Sequence, residues 1–160
     1  MLLFKFFLAV VVNLGAFQCN FSGSQVDLGS FLFEDGKLIV DCFNKDSSEC
    51  LIQLTLYKHV SKLHLKGFVF DEVNIELFSN AICDMQLQEL TLDQCDMSDE
   101  LVSLLTLPPG LRSTRLERLN FSSKGIQKFI SLLPPLLESF EAIDCLNSDS
   151  LRQQLLMNLT

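Results

Sequence analysis

Residues on which active sites and metal sites depend are scarce in this sequence. It contains no Trp, one Tyr and two His, and its six Cys include no Cys-x-x-Cys pair. His59 and His64 also lack the spacing of zinc ligands, so we expect neither a metal nor another cofactor. No Gly-x-Ser-x-Gly, His-Glu-x-x-His or glycine-rich phosphate loop occurs, and we therefore predict that the protein is not an enzyme.

Positive charge is also limited. Lys and Arg number 12 against 20 Asp and Glu, which gives a net charge of −8. A protein that holds nucleic acid through phosphate contacts needs the opposite balance, so we exclude a nucleic-acid partner. Charged residues make up 20% of the chain and hydrophobic residues 48%. That composition argues against disorder and allows one domain with a sizeable core, to which the 14 Phe contribute.

Long apolar runs are absent except at the N-terminus. MLLFKFFLAVVVNLGAF has one cation, Lys5, before an apolar run at 6–12 that is too short to span a bilayer as a helix. Gly15 and Ala16 are small residues near a cleavage point, so we predict a signal peptide at 1–16, a secreted protein and no stable membrane span after cleavage. An uncleaved anchor or a first core helix are the alternatives.

A spacing of apolar residues recurs along the remaining chain. LQELTLDQC (87–95) has Leu at its first, fourth and sixth positions and Cys at its ninth. Related stretches are VSKLHLKGF (60–68), LERLNFSSKGI (116–126), LESFEAIDC (137–145) and, more weakly, DGKLIVDCF (35–43). The fourth positions, separated by 25, 27, 29 and 21 residues, are Leu38, Leu63, Leu90, Leu119 and Phe140. We expect these positions to be buried strand residues.

Two further stretches match the spacing. LRSTRL (111–116) would even out the last separations to 24 and 26, but we prefer the frame that begins at Leu116 because Leu119, Phe121 and Ile126 all fit it. LIQLTL (51–56) lies too close to the next copy to be a full repeat, so we interpret it as helix or return segment.

The pattern resembles the leucine-rich repeat, LxxLxLxxN/CxL, over roughly residues 35–150. The resemblance implies an α/β solenoid in which short parallel β-strands line the concave face and helices lie on the convex face. It implies a repeat domain at 35–160 with 4–5 irregular units, an N-terminal cap segment at 17–34 and a C-terminal capping helix at about 148–159. Cys95 and Cys145, at ninth positions two repeats apart, should be buried thiols too distant for a disulfide.

Helices are predicted between the strands. The segment 71–84 places one set of apolar residues on a single face: Val73, Leu77, Phe78, Ala81 and Ile82. The segment 98–110 begins with Ser98 as N-cap and ends at a Pro-Pro pair, and 125–135 ends in the same way. Within the loop 42–50, Cys42 and Cys50 enclose FNKDSSE and are a candidate disulfide in an oxidising compartment.

The resemblance also implies a function, namely a monomeric binding scaffold whose concave strands contact a protein ligand. In the preferred frame, third, fifth and seventh positions face solvent, and opposite charges meet at Lys62–Glu89–Arg118 and at Lys66–Asp93. The predicted binding residues are Lys62, His64, Lys66, Glu89, Thr91, Asp93, Arg118, Asn120 and Glu141. Two alternatives remain: a truncated or decoy copy of a longer repeat protein without binding activity, and a small secreted enzyme.

Overall fold

A computed structural model describes residues 31–145, which form a six-stranded sheet and four helices. The strands are β1 Phe31–Glu34, β2 Lys37–Asp41, β3 Lys62–Lys66, β4 Glu89–Asp93, β5 Ser113–Glu117 and β6 Ser139–Ile143. The helices are α1 Ser47–Leu54, α2 Glu72–Cys83, α3 Asp99–Val102 and α4 Ser123–Leu132. The predicted signal peptide at 1–16, most of the predicted cap at 17–34 and the predicted helix at 148–159 lie outside the described residues.

The strands follow one another across the sheet in chain order. β2 to β6 pair in parallel, with helical or turn segments connecting them, whereas β1 pairs antiparallel with β2. The hairpin between β1 and β2 turns at Asp35 and Gly36, whose φ angles are 50° and 75°. An Asp-Gly pair suits such a tight turn because both residues tolerate positive φ. The expected mixed α/β architecture with mostly parallel strands is confirmed.

The frame chosen for the fourth unit is wrong. Thr114 of β5 pairs with Leu90, and Leu116 pairs with Leu92, so the strand is LRSTRL rather than the segment that follows. Leu119 is buried, as expected, but it lies beyond β5. With Thr114 in the fourth position, the paired residues Leu38, Leu63, Leu90, Thr114 and Phe140 recur at separations of 25, 27, 24 and 26.

Alternating residues of these strands form one wall of the core. Leu63, Leu65, Leu90 and Leu92 are almost fully buried and belong to one apolar cluster with residues of all four described helices. Phe140 of β6 was also expected to be buried, yet it is only partly covered by described residues. Side chains alternate between the two faces along each strand, so only one face of the sheet is apolar and needs to be covered by helices.

Each parallel strand of β3 to β6 ends in the same backbone corner. The fourth residue after the first core-facing strand position has positive φ in every case: Gly67 at 66°, Gln94 at 51°, Arg118 at 54° and Asp144 at 53°. The next residue is buried each time, and these residues are Phe68, Cys95, Leu119 and Cys145. The expectation that Cys95 and Cys145 are buried is confirmed. The left-handed residue redirects the chain so that its successor points into the core.

The helices begin at a constant distance from the strands. Their N-caps are Asp46, Asp71, Ser98 and Ser122, each eight positions after the first buried strand residue of its unit. Asp71 accepts hydrogen bonds from the backbone N–H groups of Val73 and Asn74 and so satisfies two of the free donors at the start of α2. The predicted N-cap role of Ser98 is confirmed.

Two details of the predicted helices are wrong. Val73 was assigned to the buried face of α2 but is 72% exposed, while Asn74 and Ile75 are buried in its place. The helix expected at 98–110 is reduced to the single turn of α3. The stretch LIQLTL begins within α1 and is helical rather than a strand, as expected. Among residues 31–145, every helix is too short or too polar to cross a bilayer.

Candidate functional site

The face of the sheet opposite the core carries mostly polar side chains, and we call it the polar face. The alternation of β2 to β6 places the third, fifth and seventh residue of each unit there. Nearly all of these side chains are at least partly exposed because the described helices lie against the other face. The polar face consists of Lys37, Ile39, Asp41, Lys62, His64, Lys66, Glu89, Thr91, Asp93, Ser113, Arg115, Glu117, Ser139, Glu141 and Ile143.

Most of the predicted binding residues lie on the polar face, but two do not. Arg118 and Asn120 follow the end of β5, so their assignment to a strand is wrong. The residues that occupy β5 on this face are Ser113, Arg115 and Glu117, which the sequence interpretation missed. The signal that could have found them was the more even spacing of the alternative frame LRSTRL.

Ion pairs connect neighbouring strands across the polar face. Lys62 Nζ lies 2.9 Å from Glu89 Oε1, which confirms that expected pair. Arg115 Nη1 lies 2.9 Å from Glu141 Oε2 between β5 and β6. The expected contact between Glu89 and Arg118 is wrong because Arg118 lies past the strand. The two observed pairs are exposed, so each adds at most about 1 kcal/mol to stability.

Arg118 instead reaches back and covers Asp93. Its Nε lies 2.9 Å from Asp93 Oδ1 and its Nη2 lies 2.6 Å from Asp93 Oδ2, a bidentate arrangement. The Asp93 side chain is only 6% exposed as a result, although we expected it to face solvent. Asp93 therefore anchors the corner after β5 to β4, and its carboxylate is not free to contact a ligand.

His64 lies beside this pair on β3. Burial lowers the pKa of its imidazole below the usual 6.5, and the positive charge of Lys66 lowers it further, whereas Asp93 acts in the opposite direction. The ring is therefore neutral at neutral pH. Its Nε2 lies 3.7 Å from Asp93 Oδ2, too far for a hydrogen bond, and has no other hydrogen-bond partner among the described residues.

A pair of thiols lies at the corner between β2 and α1. Cys42 Sγ and Cys50 Sγ are 3.2 Å apart, and both residues are buried. Ser47 contacts Cys42 Sγ through its hydroxyl and also accepts a hydrogen bond from the backbone N–H of Val69 in the next unit. The disulfide expected between these two Cys stays a prediction.

An open groove of about 310 Å³ lies at the opposite end of the strands, where the chain enters β4. Cys83, Leu87, Pro108 and Pro109 contribute to its lining. Burial raises the pKa of the Cys83 thiol, and the nearby charge of Asp84 adds to that effect, so the thiol is not activated for attack. The groove brings together no acid, base and nucleophile.

Among residues 31–145, no group of three or more His, Cys, Asp or Glu side chains could hold a metal ion. Comparison with known proteins finds no family model, no curated protein and no solved structure that matches this chain. The geometry of the polar face is therefore the basis for assigning a function.

Proposed function

We propose that this protein is an exported leucine-rich repeat protein that binds another protein through the polar face. In this proposal the strand–helix units are the repeats of a solenoid, and the polar face is its concave side. The proposal gives the chain no catalytic role and no cofactor. It assigns residues 1–16 to a signal peptide that is removed on export.

Regular spacing supports the repeat assignment. The first core-facing residues of β2 to β6 recur at 24 to 27 positions, within the range of about 20–29 residues for this repeat type. A left-handed corner and an N-cap follow at fixed offsets in successive units. One such unit cannot bury its leucines alone, but a stack of units joins them into one core.

The observation that carries the binding proposal is the contrast between the two faces of the sheet. The helix-covered face holds the core, whereas the other face presents polar and charged side chains from five strands in register. Such a surface is stiff because its backbone hydrogen bonds fix every strand. A rigid surface loses little conformational entropy when it binds.

The size of the polar face limits the kind of interface. Five strands at about 4.8 Å spacing span roughly 19 Å, so the footprint belongs at the small end of specific interfaces. A small interface depends on a few central residues. Thr91 is the best candidate for such a central residue, because it lies on β4 between His64 and Arg115 of the adjacent strands.

The test is a photo-crosslinking experiment on the exported chain. A photo-reactive residue replaces Thr91 on the polar face or, as the control, Glu76 on the exposed side of α2. We expect a partner protein to be crosslinked from position 91 and not from position 76. Thr91→Arg should then weaken binding of that partner at least tenfold, about 1.4 kcal/mol, while Glu76→Arg leaves it unchanged.

Thermal unfolding of both Arg variants serves as the folding control. Crosslinks from position 76 alone would place the binding site on the helix side and contradict the proposal. If neither position yields a crosslink, the truncated or decoy alternative is favoured. The mass of the chain recovered from the medium shows, in the same preparation, whether the signal peptide has been removed. A product that stays inside the cell and keeps Met1 would contradict signal cleavage.

A further inference from the structure

We propose that Cys42 and Cys50 are joined by a disulfide that fastens the first strand–helix unit. The inference concerns the corner between β2 and α1 and does not depend on partner binding. It rests on the oxidising compartment that the proposed export provides, but the disulfide can be absent while partner binding holds, and partner binding can fail while the disulfide forms.

The geometry around the two sulfurs favours a bond. They lie 3.2 Å apart, closer than two sulfurs normally approach without bonding and about 1 Å longer than a disulfide, so small side-chain rotations suffice. Cys42 follows the end of β2 and Cys50 lies in α1, and both are held by the surrounding hydrogen bonds. The backbone N–H of Cys42 donates to Lys66 O, and that of Cys50 donates to Asp46 O.

The chemistry is a thiol–disulfide exchange with a small disulfide such as oxidised glutathione. One Cys thiolate attacks a glutathione sulfur, which releases one reduced glutathione and leaves a mixed disulfide on the protein. The second Cys then attacks the protein sulfur of that mixed disulfide and releases the second reduced glutathione. Both Cys lose their protons, the protein sulfurs are oxidised and glutathione is reduced.

Burial decides when this exchange takes place. It raises the pKa of Cys42 to about 12, and the hydrogen bond with Cys50 adds to the effect, so the thiolate is rare in the folded chain. Because the thiolate is the reacting species, we infer that the bond forms while the chain folds. After folding, the same burial protects the disulfide from reductants.

The bond would hold the side chains of the corner in place. Phe43 lies between the two Cys, and its ring covers Gly67 so closely that a Cβ there would lie 2.6 Å from Phe43 Cδ1. Gly67 also has a φ of 66°, which favours glycine. Ser47, the first residue of α1, accepts a hydrogen bond from the backbone N–H of Val69 in the second unit. The disulfide would thus stabilise the contact between the first two units.

Peptide mapping tests the bond directly. Lys45 lies between the two Cys, so trypsin separates them onto the peptides 38–45 and 46–58, which only a disulfide can keep together. The chain is refolded in a glutathione redox buffer, alkylated, digested and mapped without reductant. We expect the linked pair of peptides. Free alkylated Cys42 and Cys50, or a peptide that links either of them to Cys19, would overturn the proposal.

Thermal unfolding supplies a second measurement. The oxidised chain should melt about 5–10 °C above the reduced chain, because the bond restricts the unfolded state. A variant with Cys42→Ala and Cys50→Ala should lose this redox dependence. Cys95→Ala, which removes another buried thiol, should retain it. If the double variant does not fold, the peptide map of the wild type alone tests whether the bond exists. If the wild type carries the disulfide but has the same Tm when oxidised and when reduced, the stabilising role is contradicted.

Discussion

A hydroxyl replaces a leucine in the middle of the core. Thr114 occupies the position that Leu63 and Leu90 fill in the preceding units, and it is 0% exposed. Its Oγ1 has no hydrogen-bond partner among the described residues. Leaving a buried hydroxyl without a partner costs about 1–3 kcal/mol.

Thr114→Val should therefore stabilise the protein by about 1–2 kcal/mol, because valine keeps the shape and removes the polar atom. Urea unfolding measures the difference. Thr91→Val on the adjacent strand is the control, and its hydroxyl is on the polar face, so we expect a change within about 0.5 kcal/mol. A loss of stability in the first variant would mean that Oγ1 has a hydrogen-bond partner after all.

The same residue explains why the fourth unit was misplaced. A search for leucines every few positions passes over Thr114 and selects Leu119 and Phe121, which are buried but belong to the corner and the start of the next segment. The apolar pattern reports burial and does not distinguish strand from corner. Strand pairing with Leu90 decides the frame, and that pairing is not visible in a local stretch of sequence.

At the level of elements, Asp99 connects two helices. It is the first residue of α3, and its carboxylate accepts hydrogen bonds from the backbone N–H and the hydroxyl of Ser122, the N-cap of α4. Lys128 of α4 donates to the backbone carbonyl of Asp99 at 3.0 Å. This carboxylate occupies the space beside Gly125, where a Cβ would overlap Asp99 Oδ1.

Gly125→Ala should therefore not stabilise the protein as a Gly→Ala change within a helix usually does. In a helix the change normally stabilises by about 0.5–1 kcal/mol, but here the methyl group displaces Asp99 from Ser122. We expect no gain or a loss in the wild type, and a gain of up to about 1 kcal/mol in the Asp99→Ala background. A double-mutant cycle by urea unfolding measures this coupling. An equal gain in both backgrounds would contradict it.

The elements also show how far sequence reasoning reaches. Helices that begin at a polar N-cap were predictable. Each N-cap follows the first core-facing strand residue by eight positions, and the same count from Phe140 falls on Ser148, outside the described residues. The short α3 was not predictable from its apolar pattern: the backbone N–H groups of 103–105 bond three residues back instead of four, and the N–H of Thr106 bonds Ser79 Oγ of α2. The first hairpin had a local signal in Asp35 and Gly36, which the weak leucine pattern of that unit concealed.

The candidate site was predictable only in part. Alternation along β3 and β4 correctly assigns Lys62, His64 and Glu89 to the polar face, because each lies next to a buried leucine of its strand. The burial of Asp93 depends on Arg118, which comes from the next unit. Such a contact depends on side-chain reach across strands and has no signature in the sequence of either unit alone.

At the scale of the whole molecule, one apolar cluster runs through every described unit. Leu90 lies in it on β4, between β3 and β5, and is 1% exposed. Leu90→Asp should therefore abolish folding of the entire domain, because an unpaired buried charge costs more than the few kcal/mol that hold a domain together. Thr91→Asp, the next residue on the polar face, should leave the fold intact.

Circular dichroism and hydrogen exchange distinguish the outcomes. Global loss of protection in the Leu90→Asp variant, with native protection in Thr91→Asp, is the expected result. Protection that survives in the strands away from β4 would show that the units fold independently. The prediction of one cooperative core would then be wrong.

The chain-order arrangement of the sheet has a kinetic consequence. Each strand from β3 to β6 pairs with the strand that precedes it in the sequence, so no pairing requires a distant segment to return. Each parallel pairing joins residues 24 to 27 positions apart, so every step closes a loop of similar length and none requires a much longer closure. Ordering that begins at any adjacent pair can spread toward either terminus, and a segment still being synthesised can add to a stack that is already formed.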